Sequence, residues 1–184
     1  MFRLFKPLFL FVFLIGTIQV SGQSLFKSTS GRIHFISDAP LELIEAETES
    51  FSMLVDTAKM EFAISIPIKS FTGFNNPLQQ QHFYENYMET DIYESATYAG
   101  KILGNISFSP DTLELTAKGK LKIHGEEKLR IIPVKAIWKD ENSLQLISYF
   151  IIPLKDHDID IPRVVYQKIA EDIRVDFECI LITE

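Results

Sequence analysis

The side chains able to do covalent or metal chemistry are few and scattered. His34, His82, His124 and His157 stand at no spacing that builds a metal site. Asp156-His157-Asp158 places three donors in one segment. In an extended chain the two aspartates would share a face while His157 pointed away, so convergence on a cation would need a loop. We read the segment as a solvated turn. Cys179 is the only cysteine and lies in the apolar stretch Ile173 to Leu181, which excludes an internal disulfide and indicates a buried thiol. No Gly-x-Ser-x-Gly elbow or glycine-rich phosphate loop is present. The spacing of Glu42 and Glu45 does not mark an acid–base pair, and Asn105-Ile106-Ser107 matches a glycosylation acceptor only formally. The expectation is a protein with no catalytic residues, no metal and no cofactor.

With chemistry set aside, length and charge narrow the class. The 184 residues suffice for one domain, and no Gly/Ser/Pro-rich run divides them. Arg3 and Lys6 precede the apolar run Leu8 to Ile15, and Val20-Ser21-Gly22 offers small residues for cleavage. We read residues 1–22 as a signal peptide and 23–184 as the mature domain, periplasmic or secreted. The apolar run falls short of the roughly 20 residues of a spanning helix, and no cysteine near the cut could carry a lipid anchor. No stable membrane insertion is expected after cleavage. The formal charge of −7 becomes two units more negative once Arg3 and Lys6 are gone. Such a chain repels nucleic acid and anionic membrane surfaces.

From Gly31 onward the dominant signal is period-two alternation, the signature of strands with one dry face. Met60, Phe62, Ile64, Ile66 and Ile68 alternate with Lys59, Glu61, Ala63, Ser65 and Pro67. Leu113, Leu115, Ala117, Gly119, Leu121 and Ile123 alternate with a threonine-, glutamate- and lysine-rich face. Further strands are expected over Arg32–Ile36, Ile44–Val55, Tyr98–Phe108, Leu129–Trp138, Leu144–Ile152 and Ile173–Ile182. Ser109-Pro110-Asp111, His124-Gly125-Glu126 and Lys139-Asp140-Glu141-Asn142 supply turns. Within Ile44–Val55 the apolar parity switches, as an inserted bulge residue would require.

Two interruptions read as helical. Asn76 as N-cap, Pro77 at the first helical position and Gln79 at the third form a capping-box-like start to a helix ending near Tyr87. A second, short helix is expected from Pro162 to about Ala170, with Val165 and Ile169 on one face. About eight strands with one-sided polarity and no long helices to cover them are most economically buried by closing into an antiparallel β-barrel.

The series of segments resembles the YceI-like family. Ala39-Pro40-Leu41-Glu42, Ile44-Glu45-Ala46 and Phe62 to Phe71 are similar to its amino-terminal half. Gln81 to Glu89, Asp91-Ile92-Tyr93 and Ala99 to Ile102 resemble its helix, turn and following strand. Gly119 to Gly125, Ile132-Pro133-Val134, Ile161-Pro162 and Lys168 to Glu171 continue the match. The chain departs from the commoner pattern at Asp156-His157-Asp158, where a hydrophobic or aromatic residue and glycine usually follow the acid. The resemblance implies an all-β, lipocalin-like barrel that binds a polyisoprenoid or similar amphiphile outside the cytoplasm.

A long tail needs only a dry tunnel, because each Å² of apolar surface removed from water is worth about 25 cal/mol. Candidate lining residues on the dry faces are Phe62, Ile64, Ile66, Leu113, Leu115, Leu121, Ile123, Val134, Phe150, Val175 and Phe177. Phe71, Phe83, Tyr87 and Met88, in and around the first helix, could cover one end. Alternating apolar residues also make any barrel core, so a second reading stays open: an envelope interaction scaffold whose interior is filled by its own aromatics. A homodimer is equally left open.

Overall fold

The computed structural model describes residues 25–183; the expected signal peptide, residues 1–22, lies outside them. Nine strands follow one another, β1 Leu25–Asp38, β2 Leu43–Thr48, β3 Ser52–Asp56, β4 Glu61–Pro67, β5 Ser95–Leu103, β6 Leu113–Ile123, β7 Glu126–Asp140, β8 Ser143–Pro153 and β9 Asp172–Thr183. All ladders are antiparallel. The order runs β2-β1-β3-β4-β5-β6-β7-β8-β9, and β9 pairs back onto β1. Eight strands thus form a closed, lipocalin-like barrel with β2 as an extra strand. Closure removes the sheet edges that alternating strands would otherwise expose. The remaining edge of β2 is covered by Thr72, which exchanges two 2.8 Å backbone bonds with Glu47.

The parity switch in residues 44–55 has a different origin from the expected bulge. The segment is broken into β2 and β3, and both halves pair with β1 in one continuous register. The Thr48 hydroxyl accepts the Ser50 N–H at 2.9 Å, which competes with the ladder at the break. The Ser28 hydroxyl takes the Met53 N–H at 3.0 Å. The register shift falls instead on β1, between Ser28 and Ser30, against β9. There Phe51 and Cys179 crowd Gly31 so closely that no Cβ would fit. The strand expected over 98–108 ends at Leu103, because Gly104 adopts φ +121° and redirects the chain.

The first helix begins as expected: Asn76 accepts the Gln79 N–H at 2.9 Å, with Pro77 at the first helical position. The Gln79 side chain reaches back one residue further than in a capping box, to the Asn75 N–H. α1 covers Pro77–His82 and continues as a π-helical turn, Phe83–Tyr87. The second expected helix is reduced to a 3₁₀ turn, Arg163–Val165, after which Gln167 O accepts the Leu41 N–H at 3.0 Å.

Gly100 and Gly119 face each other across β5 and β6. A Cβ on Gly119 would collide with the Ala99 carbonyl, and one on Gly100 with the Lys118 carbonyl. These two glycines let the backbones of β5 and β6 approach closely. Gly119→Ala is expected to cost about 1–3 kcal/mol, the usual range for overpacking, read as a lower urea midpoint at unchanged m-value.

Candidate functional site

The inward side chains divide the barrel into a solid plug and a hollow. At the end where β1 begins and β9 finishes, Phe26, Leu144, Cys179 and Leu181 are essentially inaccessible. Trp138 packs edge-on to Phe26 at 5.6 Å and to Phe108 at 5.7 Å. Burial pushes the Cys179 thiol up to about 12, so it packs as a small hydrophobe.

Beyond the plug lies an apolar cavity of about 260 Å³, larger than the ~150 Å³ that holds a benzene molecule in an engineered core. Its lining on β6 alone runs from Leu115 to Ile123, about 27 Å of strand at roughly 3.4 Å per residue. The space is therefore elongated along the barrel. Every residue named from the dry faces and the first helix lines it except Leu113. Leu113 stands opposite Ala136 at the plug end, past the floor of the cavity.

Further lining comes from Ile33 and Phe35 of β1, Ile132 of β7 and Ile152 of β8. Strand parity carries a signal for these. Ile106, Leu154, Ile159 and Ile169 also contribute, from turns and loops where no periodicity marks them.

The polar groups in the wall are largely committed. Ser148 donates to the Pro133 carbonyl at 2.6 Å, and Ser37 accepts the Ala170 N–H at 2.9 Å. Gln79 donates to Glu42 at 2.9 Å. Tyr98 donates to the Ala117 carbonyl at 2.7 Å, and burial pushes its phenol up to about 12. With these groups satisfied, the hollow offers hydrocarbon rather than hydrogen bonds.

One end is covered by aromatic rings. Phe35 stacks on Phe83 at 5.3 Å and meets Phe71 at 5.4 Å, while Phe74 lies 5.0 Å from Phe83. Gln80 and Tyr84 tie the helix to this cluster, through bonds of 3.1 and 2.6 Å to the Phe71 carbonyl. Desolvation raises the Tyr87 phenol above its ordinary value.

Asp156-His157-Asp158 is not a solvated turn. Leu154–His157 forms a 3₁₀ turn closed by Asp158 in the left-handed conformation, and His157 is 0% exposed. Its Nδ1 donates to the Glu126 carbonyl at 3.1 Å, leaving Nε2 buried without a partner. Asp156 turns to Arg130 at 3.2 Å. No grouping of three or more metal-binding side chains occurs among the described residues.

Burial holds the His157 pKa below its ordinary 6.5. Below that pH the unfolded chain takes up a proton that the folded chain refuses, so this contribution to stability is complete above 6.5 and declines on acidification toward the folded pKa. Between pH 7 and 5.5 the wild-type unfolding free energy should fall more steeply than that of His157→Gln, which keeps a donor but does not titrate.

The sequence matches the YceI-like domain over residues 13–181. A search of the curated proteins finds no match. Among solved structures, a polyisoprenoid binding domain from Saccharophagus degradans, implicated in plant cell wall breakdown, superposes with a TM-score of 0.69 at 12% identity. It covers 88% of this chain and 99% of its own. Burkholderia cenocepacia BcnA gives 0.67 at 16% identity, covering 82% and 95%. The Campylobacter jejuni YCEI protein gives 0.57 at 16%, covering 76% and 84%. At such identities the likeness is one of fold, and it agrees with the barrel built above. With the family match extending over most of its length, the chain belongs to the YceI-like family.

Proposed function

We propose that this is an exported, non-enzymatic binding protein that holds a long-chain isoprenoid or related amphiphile in the barrel. The observation that carries this reading is the long cavity walled by hydrocarbon, whose polar groups are mostly bonded to the protein itself. Such a space rewards an occupant for apolar area, at about 2.5 kcal/mol for each 100 Å² buried. A single saturated or isoprenoid tail is the occupant that an elongated space of about 260 Å³ suits best. The solved neighbour described as a polyisoprenoid binding domain supports the same ligand class.

A scaffold with a self-filled interior is less well supported, because the aromatics of the plug, of the cluster that forms a lid around Phe83, and of the wall itself, Phe62, Tyr98, Phe150 and Phe177, still leave a cavity of about 260 Å³ between them. The test is to purify the mature protein without detergent, extract it with organic solvent and analyse the extract by mass spectrometry. A stoichiometric isoprenoid or other long-chain lipid is expected. A reproducibly empty, folded protein that also refuses added lipid would overturn the proposal.

A further inference from the structure

The wall of the barrel is incomplete on one side. The β7–β8 ladder runs from Asp140↔Ser143 to Lys135↔Ile147 and stops there. Toward the lid end both strands continue, β7 from Val134 back to Glu126 and β8 on to Pro153. Each stays paired on its outer side, β7 to β6 through Ile123↔Glu126 and β8 to β9 through Pro153↔Asp172. Pro133 marks where the ladder ends; without an N–H it cannot donate across the gap.

Side chains span the opening instead. Ser148 bonds the Pro133 carbonyl at 2.6 Å, and the Arg130 guanidinium joins the Ile151 carbonyl and Asp156.

The two faces of this seam are both apolar. Outside, Leu129, Ile131, Tyr149 and Ile151 are 65%, 65%, 64% and 49% exposed. On the neighbouring outward face of β6 stand Lys118, Lys120 and Lys122, so the apolar strip is local. A surface cleft lies along it, and two of its walls, Ile132 and Phe150, also line the interior cavity. The outside cleft and the tunnel are thus separated by side chains rather than by a hydrogen-bonded backbone.

We propose that the β7–β8 seam is a lateral portal through which a lipid tail passes between the tunnel and the exterior, with Arg130 as its latch. This rests on the tunnel being a lipid site. The passing tail meets Ile131 and Ile151 outside and Ile132 and Phe150 at the gap, once the Ser148 and Arg130 links between them give way. Widening the gap breaks side-chain links but no ladder bonds.

The test uses Ile131→Cys/Ile151→Cys, joined across the seam by a cleavable bismaleimide; Cys179 is buried and does not compete. Uptake and release of a fluorescent polyene fatty acid are followed by stopped flow. Cross-linking should slow both rates at least tenfold at unchanged equilibrium affinity, and cleavage of the linker should restore them. The same linker placed across the closed β5–β6 ladder in Ala99→Cys/Lys120→Cys should leave both rates unchanged. Unaltered rates in the seam-linked protein, or equal slowing in the β5–β6 control, overturn the portal while leaving the lipid site intact. A wild-type protein that binds neither this probe nor an isoprenoid overturns the lipid reading and the portal with it.

Discussion

Ile66→Lys is expected to abolish lipid loading of the tunnel. Ile66 lies on β4 opposite Ala96, and both side chains face the cavity. A lysine there places an ammonium among hydrocarbon walls that hold few free acceptors. The charge must either remain unpaired, lose its proton or draw water into the hollow, and each outcome penalises an apolar tail. Lipid recovered by extraction should fall at least tenfold, whereas Ile66→Met, which conserves volume and polarity, stays loaded. Some loss of stability accompanies the change, so the comparison belongs at a temperature where circular dichroism shows both variants folded. Wild-type loading of Ile66→Lys would place this face of β4 outside the binding site.

Leu181→Ala should produce the opposite pattern. Leu181 is 0% exposed, pairs with Leu144 across β8 and β9, and belongs to the plug rather than to the cavity wall. Truncating a buried leucine typically costs about 2–5 kcal/mol, the transfer of its methyl groups plus the void left behind. For a domain of this size that corresponds to a drop of roughly 5–15 °C in Tm. Lipid stoichiometry in the folded variant should be unchanged. Loss of lipid at wild-type Tm would mean that the tail reaches the plug. Together the two variants test whether the halves of the interior divide the work, the plug carrying stability and the hollow carrying the proposed ligand.

Much of this division was visible in residue order. The alternation in β4 and β6 marked which side chains face inward, because a strand's period of two leaves no other arrangement for Phe62, Ile64 and Ile66 or for Leu115, Leu121 and Ile123. The Asn76-Pro77 cap marked the start of the helix, because its side-chain bond is local and independent of the rest of the fold. Leu113 shows the limit of that reading. Its parity agrees with the other inward residues of β6, but its height along the barrel, opposite Ala136, puts it below the cavity floor. Periodicity reports the face of a strand and says nothing of depth.

His157 shows a second limit. Flanked by two aspartates, it reads as a polar turn, yet the 3₁₀ turn rotates it into the interior while Asp156 reaches Arg130, 26 residues away. The sequence alone therefore determined the family, the all-β class, the dry faces of β4 and β6 and the start of the lid helix, since these follow from local periodicity, capping and an ordered series of segments. Only the tertiary structure decided where the barrel is filled and where it is hollow. It also decided that β7 and β8 part beyond Lys135 and that a histidine lies buried at the lid end. Those features depend on which strands lie side by side and how far along each other they slide, contacts between residues remote in the chain that no local pattern encodes.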